Sequence, residues 1–485
     1  MKDYKSIKEI LEKHSQQHLL KFFDELGPDH QQLLLEQLSE IDFDFMDKLT
    51  REYVFDKPAV EVPRDMTPPQ TIPASPKPGL PLTGIYAQAR KLGEKLISEG
   101  KVAAFTVAGG QGTRLGYEGP KGCFECTPVV NKPLFRLFAE QIRSASLRFG
   151  KTIPWYILTS PTNDTATQAH FRQNDYWAFD PKDIIFVKQG TMPAIGYDGK
   201  LLLGRKYRLA VSPDGHGGSL TALRHSGALA DMARRGIEYI SYFQVDNPLV
   251  RAIDPIFIGL HAMNGAEMSA KSLPKREPLE KLGNFCVVDG KTCVIEYSDM
   301  PQSLAMACNQ DGTLKFSAGS IAIHIFSRAF MEKLTDGGKC MLPFHRADKK
   351  VPYVNDAGEL VKPENENAVK LEMFVFDAMP LAEKTVIYET RREEEFSPIK
   401  NAEGNDSPAT CLHDQVRRWA SWLDAAGVKI PRDASGLVAA AIEISPLFAN
   451  SADELADKLK KLGKEITIAP GQNFYLGSKG QIGGA

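Results

Sequence analysis

The 485-residue sequence has few cysteines, almost no excess of one charge and no long apolar run. Seven cysteines over this length do not form the dense disulfide framework of a small secreted protein. A net charge of −2 gives no reason to expect a nucleic acid or a membrane surface as partner. No stretch reaches the roughly 18 to 20 apolar residues that cross a bilayer, and the charged N-terminus lacks the features of a signal peptide. These absences predict a cytoplasmic protein.

What is present is typical of a globular chain, with 42% apolar and 25% charged residues. The length predicts a large main domain with smaller satellites. Apolar residues at helical spacing, such as Ile7 and Leu11, predict helices within residues 4–26 and 29–55. Asp29 is the expected N-cap of the second stretch. Eight prolines between residues 57 and 82 predict an extended connector, because proline fixes φ and removes a hydrogen-bond donor.

After the connector, short apolar runs alternate with helical patterns. Continuous apolar runs predict buried parallel strands, and the intervening patterns predict a doubly wound α/β sheet with helices on both faces. Ligands of such sheets bind beyond the carboxyl ends of the strands. The domain prediction is a helical region over 1–57, a connector over 58–82, a main domain over 83–390 and a small α+β domain over 391–485. The expected strands cover 102–107, 155–158, 184–187 and 239–245, and the expected helices 132–149, 219–235, 411–426 and 452–463.

A glycine-rich loop with two cations follows the first of these strands, in AGGQGTRLG and then PK. Closely spaced glycines let backbone N–H groups approach phosphate oxygens, and Arg114 and Lys121 add positive charge. Two common phosphate loops are excluded, because Gly122 follows Lys121 where GxxxxGK[ST] needs Ser or Thr, and Leu115 stands where GxGxxG needs glycine. The pattern still predicts a nucleotide-phosphate site.

The segment VAGGQGTRLGYEGPKG resembles the signature loop of the UDP-sugar pyrophosphorylases, especially the eukaryotic-type UDP-N-acetylhexosamine pyrophosphorylases. The resemblance continues in family order through PDGHGG, VDNPLVRAIDPIFIG, VIEYSDM, VKLEMFVFD and REEEFSPIKNA, from about residue 84 to residue 426. It implies a GT-A-like Rossmannoid core with a mixed, mostly parallel sheet, a helical N-terminal appendage and a small C-terminal domain. It also implies an Mg²⁺-dependent uridylyltransferase that joins UTP to a sugar 1-phosphate and releases pyrophosphate.

Site residues are assigned by the same resemblance. A carboxylate at the end of a strand suits Mg²⁺, which takes few protein ligands, and in the family this residue, Asp246, holds the metal. The attacking phosphate is already ionised, so no general base is required, and His216 is interpreted as a hydrogen-bond donor. The implied catalytic residues are Arg114, Lys121, Asp246 and Lys370; the implied nucleotide-binding residues are Val107, Ala108, Gly109, Gly110, Gln189 and Gly215; the implied sugar-binding residues are His216, Glu296, Tyr297, Ser320 and Lys400.

Two positions depart from the acetylhexosamine pattern, since His216 and Ser320 each replace a family Asn. The GHG arrangement is more similar to UDP-glucose and broad-specificity enzymes. N-acetylglucosamine 1-phosphate is therefore the first expectation, with glucose 1-phosphate or a broader sugar range as the alternative. The alternative function outside the enzymes is that of a non-catalytic regulator that binds a sugar nucleotide. Cys123 and Cys126 form one CxxC, interpreted as two small thiols beside a loop, and the oligomeric state is left open.

Overall fold

The computed structural model describes residues 3–57, 65–338, 340–463 and 465–483. Residues 58–64 of the expected connector lie outside these ranges. Contacts divide the chain into two compact units. Unit 1 comprises Met1–Glu61, Gln189–Ser219 and Met341–Val375, and unit 2 comprises Val62–Lys188, Leu220–Cys340 and Phe376–Ala485. No helix in the described ranges combines the length and apolar character needed to span a bilayer. The four expected domain ranges stay a prediction.

The α-helices are mostly short, and the strands rarely exceed six residues. The α-helices are α1 (Tyr4–Lys13), α2 (Pro28–Ser39), α3 (Phe43–Thr50), α4 (Gly84–Ser98), α5 (Leu134–Phe149), α6 (Asp164–Gln173), α7 (Gly218–His225), α8 (Ala228–Arg234), α9 (Pro255–Met263), α10 (Gln302–Ala305), α11 (Arg328–Leu334), α12 (Arg392–Glu395), α13 (Pro408–Ala425) and α14 (Ala452–Leu462). The strands are β1 (Thr71–Ile72), β2 (Val102–Val107), β3 (Trp155–Thr159), β4 (Ile184–Lys188), β5 (Thr191–Pro193), β6 (Ile195–Gly196), β7 (Leu203–Arg205), β8 (Arg208–Leu209), β9 (Val211–Pro213), β10 (Tyr239–Gln244), β11 (Met268–Pro274), β12 (Gly283–Val288), β13 (Lys291–Ile295), β14 (Ala318–Ser327), β15 (His345–Lys349), β16 (Tyr353–Val354), β17 (Leu360–Val361), β18 (Ala368–Glu372), β19 (Thr385–Glu389), β20 (Ala441–Ile444), β21 (Asn473–Leu476) and β22 (Ile482–Gly483).

Unit 2 is built on a ten-stranded sheet in the order β1-β19-β11-β14-β10-β2-β3-β4, with the hairpin β12–β13 attached to β14. The strand pairs on either side of β14 are parallel, whereas β14 itself is antiparallel to β10 and β11. The expected α/β class and mixed, mostly parallel sheet are thus confirmed. All four expected strands form. β2 and β3 are buried along their whole length, and the polar groups of Thr106 and Trp155 hydrogen-bond to each other at 2.8 Å.

The helices of unit 2 agree with the expectation except at one place. α5 follows β2 and buries one face against the sheet core, ending at Gly150 in the left-handed conformation. The expected single helix over 219–235 is wrong, since the chain forms α7 and then α8. Gly227 separates them with φ +77°, which ends one helix and caps the next. Near the C-terminus, α13 and α14 cover β20 and β21 over an apolar core that includes Trp419 and Trp422.

In unit 1 the N-terminal helices pack against short strands from two distant parts of the sequence. Ile7, Leu11 and Leu38 share one buried cluster with Ile195 of β6 and Leu371 of β18. The amphipathic face predicted from the sequence is thus covered within unit 1. The expected N-cap at Asp29 is wrong. Gly27 occupies the N-cap position, because Pro28 takes the first helical position, where its missing N–H costs nothing.

Candidate active site

The glycine loop and Asp246 follow adjacent strands of unit 2. β2 and β10 are parallel neighbours, with Gln244 beside Val107. The chain leaves β2 for β3 on one side, whereas β10 lies on the other side. Such a reversal opens a crevice beyond the carboxyl ends of the strands, where open α/β sheets bind ligands. Ala108 follows β2 directly and Asp246 is the second residue after β10, so the glycine loop and the expected metal ligand lie at the same switch point.

The glycine loop is held by a residue that sequence reasoning missed. The Nδ2 of Asn163 donates hydrogen bonds to the carbonyl oxygens of Ala108 at 2.8 Å and Gly110 at 3.2 Å. Its Oδ1 accepts from the N–H of Ser160 at 2.8 Å, which fixes the orientation of the amide. Asn163 is 1% exposed. A buried, fully bonded side chain of this kind rigidifies the loop it holds.

Holding the carbonyls in this way leaves backbone donors free. Within the described part of the chain, no group accepts a hydrogen bond from the backbone N–H of Gly109, Gly110 or Gln111. Successive free N–H groups in a turn form a concave site for an anion. Arg114 lies farther along the same loop in a short 3₁₀ turn and is exposed. The loop therefore has donors and a cation suited to phosphate oxygens.

Lys121 and Asp246 are connected through Ile399. The Lys121 Nζ donates to the Ile399 carbonyl oxygen at 3.2 Å, and the Ile399 N–H donates to the Asp246 carbonyl oxygen at 2.8 Å. The Lys121 N–H also donates to the Gly110 oxygen at 3.1 Å. Three segments that are far apart in sequence thus meet: the glycine loop, the end of β10 and the segment before Lys400.

The segment that ends in Lys400 is fixed by the residue after Asp246. The buried Asn247 donates through Nδ2 to the Glu395 carbonyl oxygen at 2.7 Å and accepts through Oδ1 from the Ser397 N–H at 3.1 Å. Lys400 itself donates from its backbone to the Asp406 carbonyl oxygen at 2.7 Å. The structure therefore brings Lys400 into the same neighbourhood of unit 2 as Lys121 and Asp246.

A buried ion cluster supports this segment from within the sheet. Lys271 of β11 is fully buried, and its Nζ contacts Asp254 at 2.6 Å and Glu395 at 2.5 Å. Asp254 also caps α9 through the N–H of Ile256. Breaking a buried cluster by removing one charge leaves the others uncompensated, which is strongly destabilising. The cluster therefore anchors residues 395–400 to the central sheet.

Three of the five predicted sugar-binding residues, Glu296, Tyr297 and Ser320, lie on or just after strands of the unit 2 sheet. Ser320 of β14 pairs with Gly283 of β12, and Glu296 follows the last residue of β13. A Cβ placed at Gly283 would lie 3.4 Å from Glu296 Oε1 and 3.7 Å from Ser320 Cβ. Val294 Cγ1 would lie closer still, at 2.6 Å, so Glu296 and Ser320 both lie near Gly283, whose missing side chain gives room to Val294. Tyr297 is 47% exposed beside them.

On unit 1, Gln189 lies where β5 and β9 come together. β5 and β9 are antiparallel, and their register sets Gln189 and Gly190 beside Asp214 and Gly215. The Gln189 Nε2 donates to Asp214 Oδ1 at 2.9 Å and to the Gly215 oxygen at 2.6 Å. Burial, with a further contribution from Glu372, raises the pKa of Asp214 to about 7 although its hydrogen bond from Gln189 lowers it.

His216 follows in the same loop with a defined tautomer. The Val375 N–H donates to its Nδ1 at 3.1 Å, so Nδ1 is unprotonated and Nε2 carries the ring proton. Burial and the neighbouring His345 imidazole lower the pKa of His216 to about 4. The ring stacks on Phe374 with 5.2 Å between centroids. At neutral pH His216 is thus an uncharged N–H donor, the form expected from the sequence.

Lys370 lies in the middle of β18, between two residues of the unit 1 core. Val369 and Leu371 belong to the buried cluster under the N-terminal helices. Side chains alternate across a strand, so Lys370 lies on the opposite face from these two. In the described part of the chain no carboxylate forms an ion pair with any of the four predicted phosphate-binding cations: Arg114, Lys121, Lys370 and Lys400. Cations without a carboxylate partner can neutralise an anionic substrate instead.

Cys123 and Cys126 flank the turn after Lys121. Cys126 is buried, and burial raises the pKa of the half-buried Cys123 to about 12, so neither thiol forms a reactive thiolate readily. The described ranges hold no group of three or more His, Cys, Asp and Glu placed to share a metal ion. Structural zinc sites need four such ligands.

The sequence of this chain is similar to those of several known proteins. The family model described as UTP–glucose-1-phosphate uridylyltransferase matches residues 70–411. The human UDP-N-acetylhexosamine pyrophosphorylase-like protein 1 is 37% identical, with 94% of each chain covered. The yeast Saccharomyces cerevisiae UDP-N-acetylglucosamine pyrophosphorylase is 39% identical over 70% of this chain and 72% of its own. These are similarities over most of the sequence.

A solved structure extends the similarity to the fold. The uridine diphosphate N-acetylglucosamine pyrophosphorylase of Trypanosoma brucei superposes with a TM-score of 0.79 at 26% identity, covering 95% of this chain and 96% of its own. A family model that spans most of the chain, full-length relatives above 30% identity and a matching fold lead to one conclusion. The chain belongs to the UTP–glucose-1-phosphate uridylyltransferase family, which includes the UDP-sugar pyrophosphorylases.

Proposed function

We propose that this protein transfers a uridylyl group from UTP to a sugar 1-phosphate. An oxygen of the sugar phosphate attacks the α-phosphorus of UTP, the bond from that phosphorus to the bridging oxygen breaks, and pyrophosphate leaves. A UDP-sugar is the other product. The observation that carries the proposal is the junction of Lys121, Ile399 and Asp246 at the switch point of the sheet.

The chemistry requires neutralising negative charge more than moving protons. Both reactants are anions, and the attacking oxygen is already ionised at neutral pH, so positioning and charge compensation supply most of the catalysis. The free N–H groups of Gly109, Gly110 and Gln111 would receive phosphate oxygens. Arg114 and Lys121 would stabilise the pyrophosphate as it leaves, and Lys370 and Lys400 would hold the phosphates of the two substrates.

Asp246 fits the role of magnesium ligand. It is a half-buried carboxylate at the end of β10, with its backbone held by Ile399. Mg²⁺ is commonly bound by one or two carboxylates and completes its shell with phosphate oxygens and water, so a single carboxylate is sufficient. Held by Asp246, the ion would offset the negative charge that develops on the phosphates.

Recognition of the substrates would use the remaining predicted residues. On unit 1, Gln189 and the backbone of Gly215 would bind the uracil. On unit 2, the backbone of Val107 to Gly110 would bind the nucleotide. Glu296, Ser320 and Tyr297 would bind the sugar, because a carboxylate can accept hydrogen bonds from two hydroxyl groups. His216 would donate through Nε2 to the sugar or its phosphate.

N-acetylglucosamine 1-phosphate is the first expected sugar substrate, supported by the names of the relatives above. Glucose 1-phosphate is the second, supported by His216 and Ser320, the two residues that differ from the acetylhexosamine pattern. A cytoplasmic location belongs to the same proposal. Its support is that all seven cysteines are free, as expected in a reducing compartment.

The direct test is pyrophosphate release by the purified chain with UTP, Mg²⁺ and a panel of sugar 1-phosphates. We expect release with N-acetylglucosamine 1-phosphate or glucose 1-phosphate, and a UDP-sugar formed in equal amount. A chain that binds UDP-sugars but releases no pyrophosphate with any member of the panel would be a non-catalytic binding protein, and the proposal would be wrong.

A further inference from the structure

Both amide hydrogens of Gln189 are already used by acceptors inside unit 1. The Nε2 donates to Asp214 Oδ1 at 2.9 Å and to the Gly215 oxygen at 2.6 Å. Gln189 and Asp214 are 7% and 6% exposed. No described residue donates a hydrogen bond to the Gln189 Oε1. The amide therefore offers an incoming base one group only, an acceptor.

We propose that Asp214 is a positioning residue that fixes Gln189 with its Oε1 toward the nucleobase, so that the site selects bases carrying a ring N–H. The inference rests on the proposed role of Gln189 in base binding. With Asp214 ionised, turning the amide by 180° would set Oε1 against Asp214 Oδ1 and the Gly215 carbonyl oxygen, three acceptors without a donor. Both hydrogen bonds would be lost in a buried position, so the amide keeps one orientation.

The loop is built to hold the Asp214 carboxylate in this position. A Cβ at Gly190 would lie 2.6 Å from Asp214 Oδ2, and a Cβ at Gly218 would overlap the carboxylate. Any larger residue at either place would displace it. The backbone confirms the register, since the Asp214 N–H donates to the Gly190 oxygen and the Asp214 oxygen accepts from the Met373 N–H. Two glycines and two strands therefore hold one carboxylate against one amide.

The consequence for base selection follows from hydrogen-bond polarity. Uracil and thymine carry an N–H at ring position 3, which the Gln189 Oε1 can accept. Cytosine has an unprotonated acceptor nitrogen at the same position, and two acceptors facing each other in a buried site leave both unpaired. A site of this kind rejects the wrong ligand more strongly than an apolar pocket does. We expect UTP to bind about 100-fold more tightly than CTP.

Equilibrium binding of UTP and of CTP to the full chain, measured by calorimetry, tests the inference in three variants. Asp214→Leu has nearly the shape of Asp without an acceptor. Asp214→Asn keeps an oxygen that can accept from Gln189. Glu364→Gln removes an exposed carboxylate elsewhere on unit 1 as a matched control. Thermal melting establishes that each variant is folded.

We expect Asp214→Leu to reduce the UTP-to-CTP affinity ratio by about tenfold or more, because the freed Nε2 can turn toward the base. Asp214→Asn and Glu364→Gln should keep the ratio within about threefold of the unmodified chain. The inference is overturned if folded Asp214→Leu keeps the full ratio, or if Asp214→Asn loses it equally. Binding needs no turnover, so absence of pyrophosphate release would count against the proposed function and leave this test intact.

Discussion

Lys121 and Asp246 are separated by 125 positions in the sequence, yet both bond to Ile399. The Lys121 Nζ donates to the Ile399 carbonyl oxygen at 3.2 Å, and the Ile399 N–H donates to the Asp246 carbonyl oxygen at 2.8 Å. The residue after Ile399 is Lys400. One short segment therefore brings the Lys121 cation, the Asp246 residue and the Lys400 cation into one neighbourhood. This junction is the basis of the proposed chemistry.

Replacing Lys121 with Met should reduce kcat/KM for pyrophosphate release by about 100-fold, because a charge next to the leaving phosphates is lost. The free energy of unfolding should fall by less than about 1 kcal/mol, since the side chain makes one half-exposed hydrogen bond. Steady-state kinetics and urea denaturation measure the two effects. Lys429→Met, at an exposed position of unit 2, is the matched control and should change neither. A loss of stability as large as the loss of rate would assign Lys121 a structural role.

Replacing Asn163 with Ala should affect nucleotide binding although the residue is buried beneath the glycine loop. Its amide orients the carbonyls of Ala108 and Gly110, and without it the free N–H groups no longer converge. We expect the KM for UTP to rise about tenfold while the KM for the sugar 1-phosphate stays within about twofold. Asn163→Asp, which keeps Oδ1 for the Ser160 N–H and loses the donor, should give a similar defect. An equal rise in both KM values would mean that the loop does not bind UTP specifically.

Asp214 should make stability depend on pH. Its pKa is raised from 3.8 to about 7 in the folded chain, chiefly by burial. Between these values the folded state binds a proton that the unfolded state has released, so the free energy of unfolding falls as pH rises through this window. Asp214→Asn has no carboxyl group at this position, so its free energy of unfolding should not fall for this reason as pH rises. It should be more stable than the unmodified chain at pH 8, by at most about 4 kcal/mol, with a smaller difference at pH 5.

Urea denaturation at pH 5 and pH 8 measures this difference, with Glu364→Gln as the control for removing a carboxylate. The same stability difference at both pH values would contradict the raised pKa of Asp214.

The sugar preference should depend on His216 and Ser320. Exchanging both for Asn, the family residue in the acetylhexosamine enzymes, should raise kcat/KM for N-acetylglucosamine 1-phosphate relative to glucose 1-phosphate by about tenfold. The two single variants show how the effect divides between His216 and Ser320. If the ratio stays unchanged in the double variant, these two positions do not set the preference.

Much of the fold could be predicted because the relevant signals are local. The run over 102–107 is apolar except for Thr106, and such a run forms a buried parallel strand. The prediction failed where one residue changes the backbone. Gly227 adopts a positive φ and divides the expected helix, and Pro28 takes the first position of α2 and leaves Asp29 inside the helix.

The site could be predicted in part for a related reason. The glycine loop and Asp246 stand next to strands, and motifs in family order suggested the other residues, whose roles stay predictions. Asn163 could not be predicted, because it acts 55 positions from Ala108 and asparagine at a helix start usually indicates a cap. Asp214 lies within the segment PDGHGG, but only the register of β5 and β9 places it against Gln189.

The most direct test of the account is the rate of pyrophosphate release by Asp246→Asn over a range of Mg²⁺ concentrations, with exposed Glu403→Gln as the control. We expect the unmodified chain and the control to lose activity in EDTA and recover it with Mg²⁺. Asp246→Asn should fold normally and release pyrophosphate about 1,000-fold more slowly at every Mg²⁺ concentration. Near-normal turnover by folded Asp246→Asn, with an unchanged Mg²⁺ dependence, would contradict the assignment of this junction as the catalytic centre.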